Sequence, residues 1–318
     1  MRGGVAVLRW LLALSLTATG SAALAQACPA TNPEAIALLE AFARRAEAVS
    51  YEGVLTLQRG NSLRMMSLRH GVADARVSED LTLLSGQEAR IVRGEHPLDC
   101  EHPGHRLLRL AVAPEQGACG LAGHYRISTA PGERVAGRHA VRLLLQPRDL
   151  YRYGYVFELD RESAVLLKGT ILGAGGRPLE QFQFASVSVG ADADADAERP
   201  PAAVIHQAAH PHPALPREDG DSGLRWAPGW LPAGFVATDA AGVHSVHRSY
   251  TDGMATFSVF VESLGEALRP GEGVVREGST VSYTRGLTLG TAPVLVTVLG
   301  EIPVNTARMV ADAVRQVR

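Results

Sequence analysis

The chain of 318 residues is long enough for two domains of ordinary size, and 46% of its residues are hydrophobic, which is enough for two cores. Its formal charge is only −2 at neutral pH, so the composition argues against a general nucleic-acid binder. No stretch after residue 25 approaches the roughly 20 apolar residues of a membrane-spanning helix, and we therefore expect a soluble mature chain.

The N-terminal segment has the three parts of a secretory signal peptide. Arg2 and Arg9 flank the start of a short apolar run, and Ala23-Leu24-Ala25 forms an A-x-A cleavage site. We predict that residues 1–25 are removed on export to the periplasm of a Gram-negative bacterium. Because the segment holds two arginines and no acid, 29 basic residues remain against 33 acidic ones. A lipid anchor at Cys28 is the less favoured alternative, because the residues before it depart from the usual lipidation pattern.

One helix and many short strands are predicted for the first half of the mature chain. Asn32-Pro33-Glu34 is typical of a helix start, and helical spacing of apolar residues up to Val49 indicates about four turns that end near Ser50. From Tyr51 the pattern has the period of two that is typical of strands. Further strands are predicted at residues 63–70, 73–79, 88–93, 106–112, 124–128 and 139–145.

The clearest strand pattern closes this half. Tyr155, Phe157 and Leu159 alternate with their neighbours, and two turns then separate the predicted strands 165–172 and 179–189, which gives an antiparallel meander. One helix with many antiparallel strands predicts an α+β, mainly antiparallel fold. We expect residues 26–190 to form a large domain, a curved sheet or half-open β-barrel with the helix on its concave side.

A change in composition separates a second domain. Residues 191–223 combine an Ala-Asp repeat with prolines and little apolar periodicity, which predicts a flexible linker. Residues 224–318 contain several strand patterns, and Thr251-Asp252-Gly253 is a hairpin signal. Apolar residues from Ala307 to Val317 recur at helical spacing, so we expect a small antiparallel sheet with a packed C-terminal helix.

The three cysteines allow one disulfide in an oxidising compartment. Cys100 and Cys119 are the candidate pair, and Cys28 is left over near the end of the mature chain. Closing this loop would stabilise the fold by roughly 3 kcal/mol.

Catalytic and metal-binding patterns are weak. The sequence has no G-x-S-x-G element, and the glycines at 173–176 lie between strands without the spacing of a phosphate loop. Residues 96–105 hold three histidines, a thiol and carboxylates, but their spacing matches no familiar zinc site. We therefore expect no catalytic residue, no metal and no cofactor.

Colinear motifs in both halves resemble the MucB/RseB family. The central one is Gln146-Pro147-Arg148-Asp149-Leu150-Tyr151-Arg152-Tyr153-Gly154-Tyr155, and it continues through Leu166-Leu167-Lys168. Others are Tyr51-Glu52-Gly53, Arg134-Val135-Ala136-Gly137-Arg138, Leu179-Glu180-Gln181-Phe182, Trp230-Leu231-Pro232-Ala233-Gly234-Phe235, Tyr250-Thr251-Asp252-Gly253-Met254-Ala255, Ser258-Val259-Phe260-Val261-Glu262 and Gly300-Glu301-Ile302-Pro303. Residues 98–124 match the family pattern only weakly. The resemblance therefore implies no particular shape for the loop near the concave side of the large domain.

The resemblance implies a periplasmic regulator that binds the periplasmic domain of a membrane-anchored anti-sigma factor. Such binding shields the anti-sigma factor from regulated proteolysis and keeps the envelope-stress sigma factor inactive. The large domain would resemble lipoprotein carriers of the LolA/LolB type, and lipid or lipopolysaccharide would be the signal that loosens the complex. A homo-oligomer is a further expectation.

A half-open barrel leaves an apolar concave face on which an acyl chain could bind. The candidate residues on that face are Tyr155, Phe157, Leu159, Val165, Leu167 and Ile171. The opposite register would instead place Phe182 and Phe184 inside with Val156, and core packing under the first helix is the alternative role for each of these side chains.

Tyr151, Arg152 and Tyr153 are the candidate residues for contact with a protein partner, and structure at a sheet edge is their alternative role. Two other function classes remain open at this point. The large-domain architecture is also compatible with a periplasmic lipoprotein carrier or chaperone, and a secreted hydrolase is the third class.

Overall fold

A computed structural model of the chain describes residues 32–45, 48–73, 76–86, 90–93, 120–190, 204–205, 225–238, 247–264 and 271–317. The predicted signal peptide, Cys28, Cys100, Cys119 and the histidine-rich segment 96–105 lie outside these residues. Within them, no helix is long and apolar enough to cross a membrane.

Among its described residues, the N-terminal unit (residues 32–205) has one α-helix, α1 (Pro33–Arg45), and one ten-stranded sheet. The strands are β1 (Tyr51–Arg59), β2 (Ser62–Ala73), β3 (Arg76–Leu83), β4 (Arg90–Arg93), β5 (Tyr125–Val135), β6 (Arg138–Pro147), β7 (Gly154–Asp160), β8 (Leu166–Leu172), β9 (Pro178–Val189) and β10 (Val204–Ile205). Their order is β10-β4-β3-β2-β1-β9-β8-β7-β6-β5, so β5 and β10 are the outermost strands in the part of the sheet that the structure describes.

The pairing is antiparallel throughout this sheet except at β10, which runs parallel to β4. β10 lies within the segment predicted to be a linker, and the rest of that segment is outside the described residues. The boundaries of the linker therefore stay a prediction.

One apolar core fills the concave side of the sheet. It combines Leu39 and Phe42 of α1 with side chains from strands in both halves of the sheet, such as Leu55 of β1 and Leu143 of β6. A sheet that brings distant strands onto one core must curve, which confirms the predicted curved sheet with a helix on its concave side. The described helix runs to Arg45, and residues 46–47, which follow it, lie outside the described part of the chain.

The C-terminal unit (residues 225–317) contains a six-stranded antiparallel sheet, one helix, α2 (Val304–Asp312), and a separate two-stranded pair. The sheet has the order β12 (Val236–Ala237), β13 (His247–Thr251), β14 (Thr256–Ser263), β17 (Ala292–Gly300), β16 (Thr280–Leu289) and β15 (Glu272–Glu277). The pair joins β11 (Trp226–Pro228) to β18 (Val314–Gln316).

The prediction of a small antiparallel sheet with a packed helix is confirmed, but the helix is shorter than predicted. Ala307 and Val310 of α2 are fully buried against the sheet. Val314 and Val317 share the helical spacing in the sequence, yet Val314 begins β18 and pairs with Pro228. The positions of Val314 and Val317 are those expected of a further helical turn, but the residues belong to a short strand and the segment that follows it.

Candidate functional site

A buried ion pair joins the two units. Nη1 of Arg152, in the loop between β6 and β7, lies 2.7 Å from Oδ2 of Asp252, in the turn between β13 and β14. Neither side chain has any exposed surface. Burying two charges is costly unless their hydrogen bonds are satisfied, so the surroundings of this pair decide what it can do.

Every side of the Arg152 guanidinium is occupied. Nε donates to Asp149 at 3.1 Å, Nη2 donates to the carbonyl oxygen of Ala233 at 2.6 Å, and the charge lies over the rings of Tyr125 and Phe235. Burial acts to lower the pKa of Arg152, but Asp149 and Asp252 outweigh it and hold the pKa above its ordinary value. The arginine is therefore a fixed positive charge at the interface.

Asp252 connects the turn of the C-terminal unit to the N-terminal unit. Its Oδ1 accepts hydrogen bonds from the backbone N–H groups of Met254 and Ala255, at 2.9 and 2.8 Å. Its Oδ2 accepts from Arg152 and from the hydroxyl of Tyr125, the latter at 2.9 Å. We call Tyr125, Asp149, Arg152 and Asp252 the interface cluster. One carboxylate thus both shapes a hairpin turn and ties two units together.

Neutral contacts flank the interface cluster. The hydroxyl of Tyr153 donates to the carbonyl oxygen of Ile302 at 3.0 Å, and Thr306 donates to the carbonyl oxygen of Tyr151 at 3.0 Å. The Tyr151 ring packs edge-on against Trp230 with centroids 5.1 Å apart. The loop segment 151–153, between β6 and β7, is therefore held by the C-terminal unit along its whole length.

Two features of the structure require a glycine at position 234: the backbone conformation and the ring of a neighbouring residue. It has a φ of +86°, and a Cβ there would overlap the imidazole ring of His124. Burial, reinforced by the charge of Arg152, lowers the pKa of His124. A neutral imidazole thus packs on a backbone that only glycine can supply.

A second polar contact joins the units at another turn. Glu180 is buried and accepts two hydrogen bonds from Arg59, at 3.1 and 3.2 Å, within the N-terminal unit. The hydroxyl of Ser279, in the turn between β15 and β16, donates to the same carboxylate at 3.0 Å. Two hairpin turns of the C-terminal unit are thus each held by a buried acidic group.

Aromatic rings lead from the helix to the interface cluster. Phe42 of α1 lies 6.3 Å from Phe157, Phe157 lies 5.9 Å from Tyr155, and Tyr155 lies 6.1 Å from Tyr125, measured between ring centroids. We call these four residues the aromatic series. Since the hydroxyl of Tyr125 bonds Asp252, the series connects the concave face of the large sheet to the interface between the units.

The candidate lipid residues are placed on that concave face with one exception. Tyr155, Phe157, Leu159, Val165 and Ile171 are all buried in the core that α1 covers. Leu167 lies instead in a small separate cluster, because an irregular register between β7 and β8 pairs the residues on either side of it with β7.

Phe182 and Phe184 also lie on the concave face. The sequence had offered two registers, one with Tyr155 and Phe157 on this face and the other with Phe182 and Phe184, and the structure places all four there. Gly169 of β8 pairs with Phe157 on one side and with Phe182 on the other, so all three share one row across the sheet. The roles of these residues in lipid binding stay predictions.

The interface cluster contains groups that sequence reasoning missed. Arg152 and Tyr153, two of the candidate residues for contact with a protein partner, are both buried between the units, and their role in partner binding stays a prediction. Tyr125 carried no signal beyond a strand pattern. Glu180 and Asp252 lie in motifs that carry the family resemblance, but those motifs assigned no role to their charges. Among the described residues, no three His, Cys, Asp or Glu side chains are grouped as a metal ion would require.

Comparisons with known proteins cover both units. Residues 34–203 match the MucB/RseB N-terminal domain, and residues 221–315 match the MucB/RseB C-terminal domain. The sigma factor AlgU regulatory protein MucB of Pseudomonas aeruginosa is 32% identical over 91% of this chain and 93% of its own length. The sigma-E factor regulatory protein RseB of Haemophilus influenzae is 24% identical over 87% and 90%.

Solved structures agree with these matches. MucB in complex with MucA(peri) has a TM-score of 0.70 at 30% identity, covering 89% of this chain and 99% of that one. The crystal structure of MucB has a TM-score of 0.62 at 29% identity, covering 90% and 99%. Most of the motifs that carry the resemblance, from Tyr151-Arg152-Tyr153 to the Asp252 turn and Ile302, meet at the interface. The chain is therefore a member of the MucB/RseB family, a family of sigma-factor regulatory proteins.

Proposed function

We propose that this protein is a non-enzymatic regulator of the periplasm that binds the periplasmic domain of a membrane-anchored anti-sigma factor. In that complex it shields the anti-sigma factor from regulated proteolysis and so keeps the envelope-stress sigma factor inactive. The family membership and the likeness to MucB bound to MucA(peri) support this proposal.

The interface cluster is the observation that carries the proposal. A partner that contacts both units gains affinity when their relative position is fixed beforehand, because less conformational entropy is lost on binding. Arg152 and Asp252 fix that position through a buried pair, and Ser279 adds a second tie to Glu180. The interface cluster would therefore act as a positioning element for the partner.

The test is calorimetric titration of the mature chain with the periplasmic domain of the anti-sigma factor from the same organism. We expect binding, protection of that domain from the site-one protease, and a loss of affinity in Asp252→Asn. Asp312→Asn is the matched control, because Asp312 pairs with Arg285 on an exposed surface. The proposal would be overturned if the wild-type chain neither bound nor protected the anti-sigma domain.

We propose further that lipid acts on this complex through the aromatic series. An acyl chain that enters beneath α1 would contact Phe42 and Phe157. Because Tyr155 and Tyr125 continue the same series of ring contacts, a shift of the first two rings would reach Tyr125. The hydroxyl of Tyr125 would then lose its hydrogen bond to Asp252, which would weaken the contacts of the interface cluster. The burial of the candidate cavity residues under the chain's own helix means that lipid entry requires movement of α1.

The probe for this step is an acylated lipopolysaccharide fragment, with the same fragment after deacylation as the control. We expect the acylated fragment alone to weaken binding of the anti-sigma domain. Tyr125→Phe keeps the ring and removes the hydroxyl, so its anti-sigma affinity should respond less to the fragment. Equal anti-sigma affinity with and without the acylated fragment would contradict the proposed action of lipid. It would not affect the proposal that the protein binds the anti-sigma domain.

A further inference from the structure

One arginine of the C-terminal sheet has a buried edge that faces no acceptor. Arg248 lies on β13, and its Nε and Nη2 atoms are buried and have no hydrogen-bond partner within the part of the chain that the structure describes. A buried donor without an acceptor costs free energy, and the cost is greater when the donor belongs to a charged group. Such a group in a folded protein indicates an acceptor that the chain itself does not supply.

These two atoms form the edge of the guanidinium that binds oxyanions. Nε–H and one N–H of Nη2 point in the same direction, at a spacing that matches the two oxygens of a carboxylate. Three arginines of the N-terminal unit use this edge on a carboxylate: Arg59 on Glu180, Arg90 on Asp80 and Arg138 on Asp160. Among the described residues, no carboxylate accepts from the same edge of Arg248. Arg248 therefore has the donors of these pairs without their acceptor.

A tryptophan holds the Arg248 guanidinium in place. The central carbon of that guanidinium lies 4.9 Å from the centre of the Trp226 ring, and Trp226, on β11, is buried. A guanidinium that is already fixed over an aromatic ring loses little conformational freedom when an anion binds, so its affinity for the anion is higher. Arg225 precedes Trp226, and its Nε atom is also buried without a partner in the described ranges. A second positive charge thus adjoins the same tryptophan in the sequence.

We propose that Arg248 binds a carboxylate group of a ligand through its Nε and Nη2 atoms, with Trp226 as the wall of the site and Arg225 as an additional positive charge. A carboxylate is preferred to a phosphate because it places two oxygens and one negative charge against two donors, as in the arginine pairs of the N-terminal unit. Arg248 as a whole is half-buried, so a small anion reaches its guanidinium without unfolding of the sheet. The site shares no residue with the interface cluster, and it does not depend on the proposed binding of an anti-sigma factor.

Tryptophan fluorescence of the mature full chain measures this binding directly. Trp10 lies in the predicted signal peptide, so Trp230→Phe leaves Trp226 as the only tryptophan of the mature chain. Sodium acetate and sodium phosphate are the probes, and sodium chloride at the same ionic strength is the reference, because it screens charge without offering two oxygens. We expect a saturable change with acetate, weaker binding of phosphate and no saturable change with chloride.

Arg248→Met removes the donors and keeps an unbranched side chain over the Trp226 ring. We expect it to raise the dissociation constant for acetate at least about tenfold. Arg248→Lys keeps the charge but not the paired donors, so it should also lose most of the affinity. Arg64→Met is the matched control, because Arg64 is an exposed arginine of β2 in the other unit, and it should bind acetate as the parent does. The absence of a saturable change with acetate, tighter binding of phosphate, or equal binding by Arg248→Met overturns the proposal.

The stability of the ligand-free protein separates a ligand site from a structural arginine. In chloride buffer, Arg248→Met should not lower the midpoint of urea unfolding, because it removes buried donors that have no partner in the described chain. Arg138→Met is the comparison: it removes two hydrogen bonds to the buried carboxylate of Asp160, and it should lower the midpoint. A fall in Arg248→Met as large as that in Arg138→Met would assign Arg248 to the stability of the fold and overturn the proposal.

Discussion

Arg152 and Asp252 form a fully buried ion pair, although 100 residues separate them in the sequence. The pair draws Asp149, Tyr125 and a backbone carbonyl into one hydrogen-bonded group. Because each charge has its partners, removing one member leaves the others buried and unpaired. The stability of the two-unit arrangement is therefore most sensitive to substitution here.

Arg152→Leu should lower the free energy of unfolding by about 3–5 kcal/mol, because it leaves the buried carboxylate of Asp252 without its cation. Urea denaturation followed by circular dichroism measures the change. Arg44→Leu is the control, since Arg44 pairs with Glu40 on the exposed face of α1 and should behave as wild type. Equal stabilities of the two variants would contradict the prediction.

The Tyr125 hydroxyl and the Asp252 carboxylate should be energetically coupled. A double-mutant cycle with Tyr125→Phe and Asp252→Asn isolates their hydrogen bond from the other contacts of each residue. We expect a coupling free energy of about 1–2 kcal/mol, because the bond has a charged acceptor and is buried. Additive effects of the two substitutions would show that the hydroxyl contributes nothing across the interface.

Gly234→Ala should destabilise the protein more than Gly86→Ala does. The two glycines have nearly the same backbone, with φ values of +86° and +85°, so both variants carry the strain of a left-handed alanine, about 1 kcal/mol. A Cβ at Gly86 meets nothing within 4 Å, whereas one at Gly234 overlaps His124. The overlap should add about 1–3 kcal/mol in thermal or urea unfolding. Similar losses in both would mean that the His124 ring moves aside freely.

The stability of the interface should fall as the solution becomes mildly acidic. Burial and Arg152 lower the pKa of His124 below its ordinary value of 6.5. As the pH falls, His124 therefore binds a proton in the unfolded chain before it does so in the folded chain. Stabilisation is therefore complete above pH 6.5 and is lost as the pH falls below it. Asp149 and Asp252 act in the opposite direction on this pKa but do not outweigh burial.

Urea unfolding at a series of pH values measures this effect. His124→Gln should flatten the pH dependence between neutrality and pH about 5, a range in which Asp160 and Glu133, whose pKa values are lowered, stay charged. His139→Gln is the control, because His139 is exposed. A wild-type curve that matches His124→Gln would contradict the assignment.

The sequence predicted the local structure well where one pattern had one structural solution. The meander of β7, β8 and β9 follows from alternation and turns alone. Alternation could not show that Gly169 lies between Phe157 and Phe182, because a strand register depends on the turns on both sides. The same limit applies to Leu167, which an irregular register moves off the row that its spacing implied.

The candidate site was predictable in part. The family motifs located Tyr151, Arg152 and Tyr153, but their aromatic and charged character is equally typical of a surface contact and of a buried interface. What decides between them is Asp252, and a lone aspartate before glycine indicates a turn and nothing more. Contacts that join distant turns leave no periodic trace in the sequence.

The position of Met254 affects how the large domain folds. It follows the Asp252 turn in the C-terminal unit, yet its side chain is buried in the core of the N-terminal unit. The core of the large sheet is therefore incomplete until residue 254 has packed into it. A chain truncated after Gly190 should therefore expose apolar surface of the large domain to solvent and aggregate.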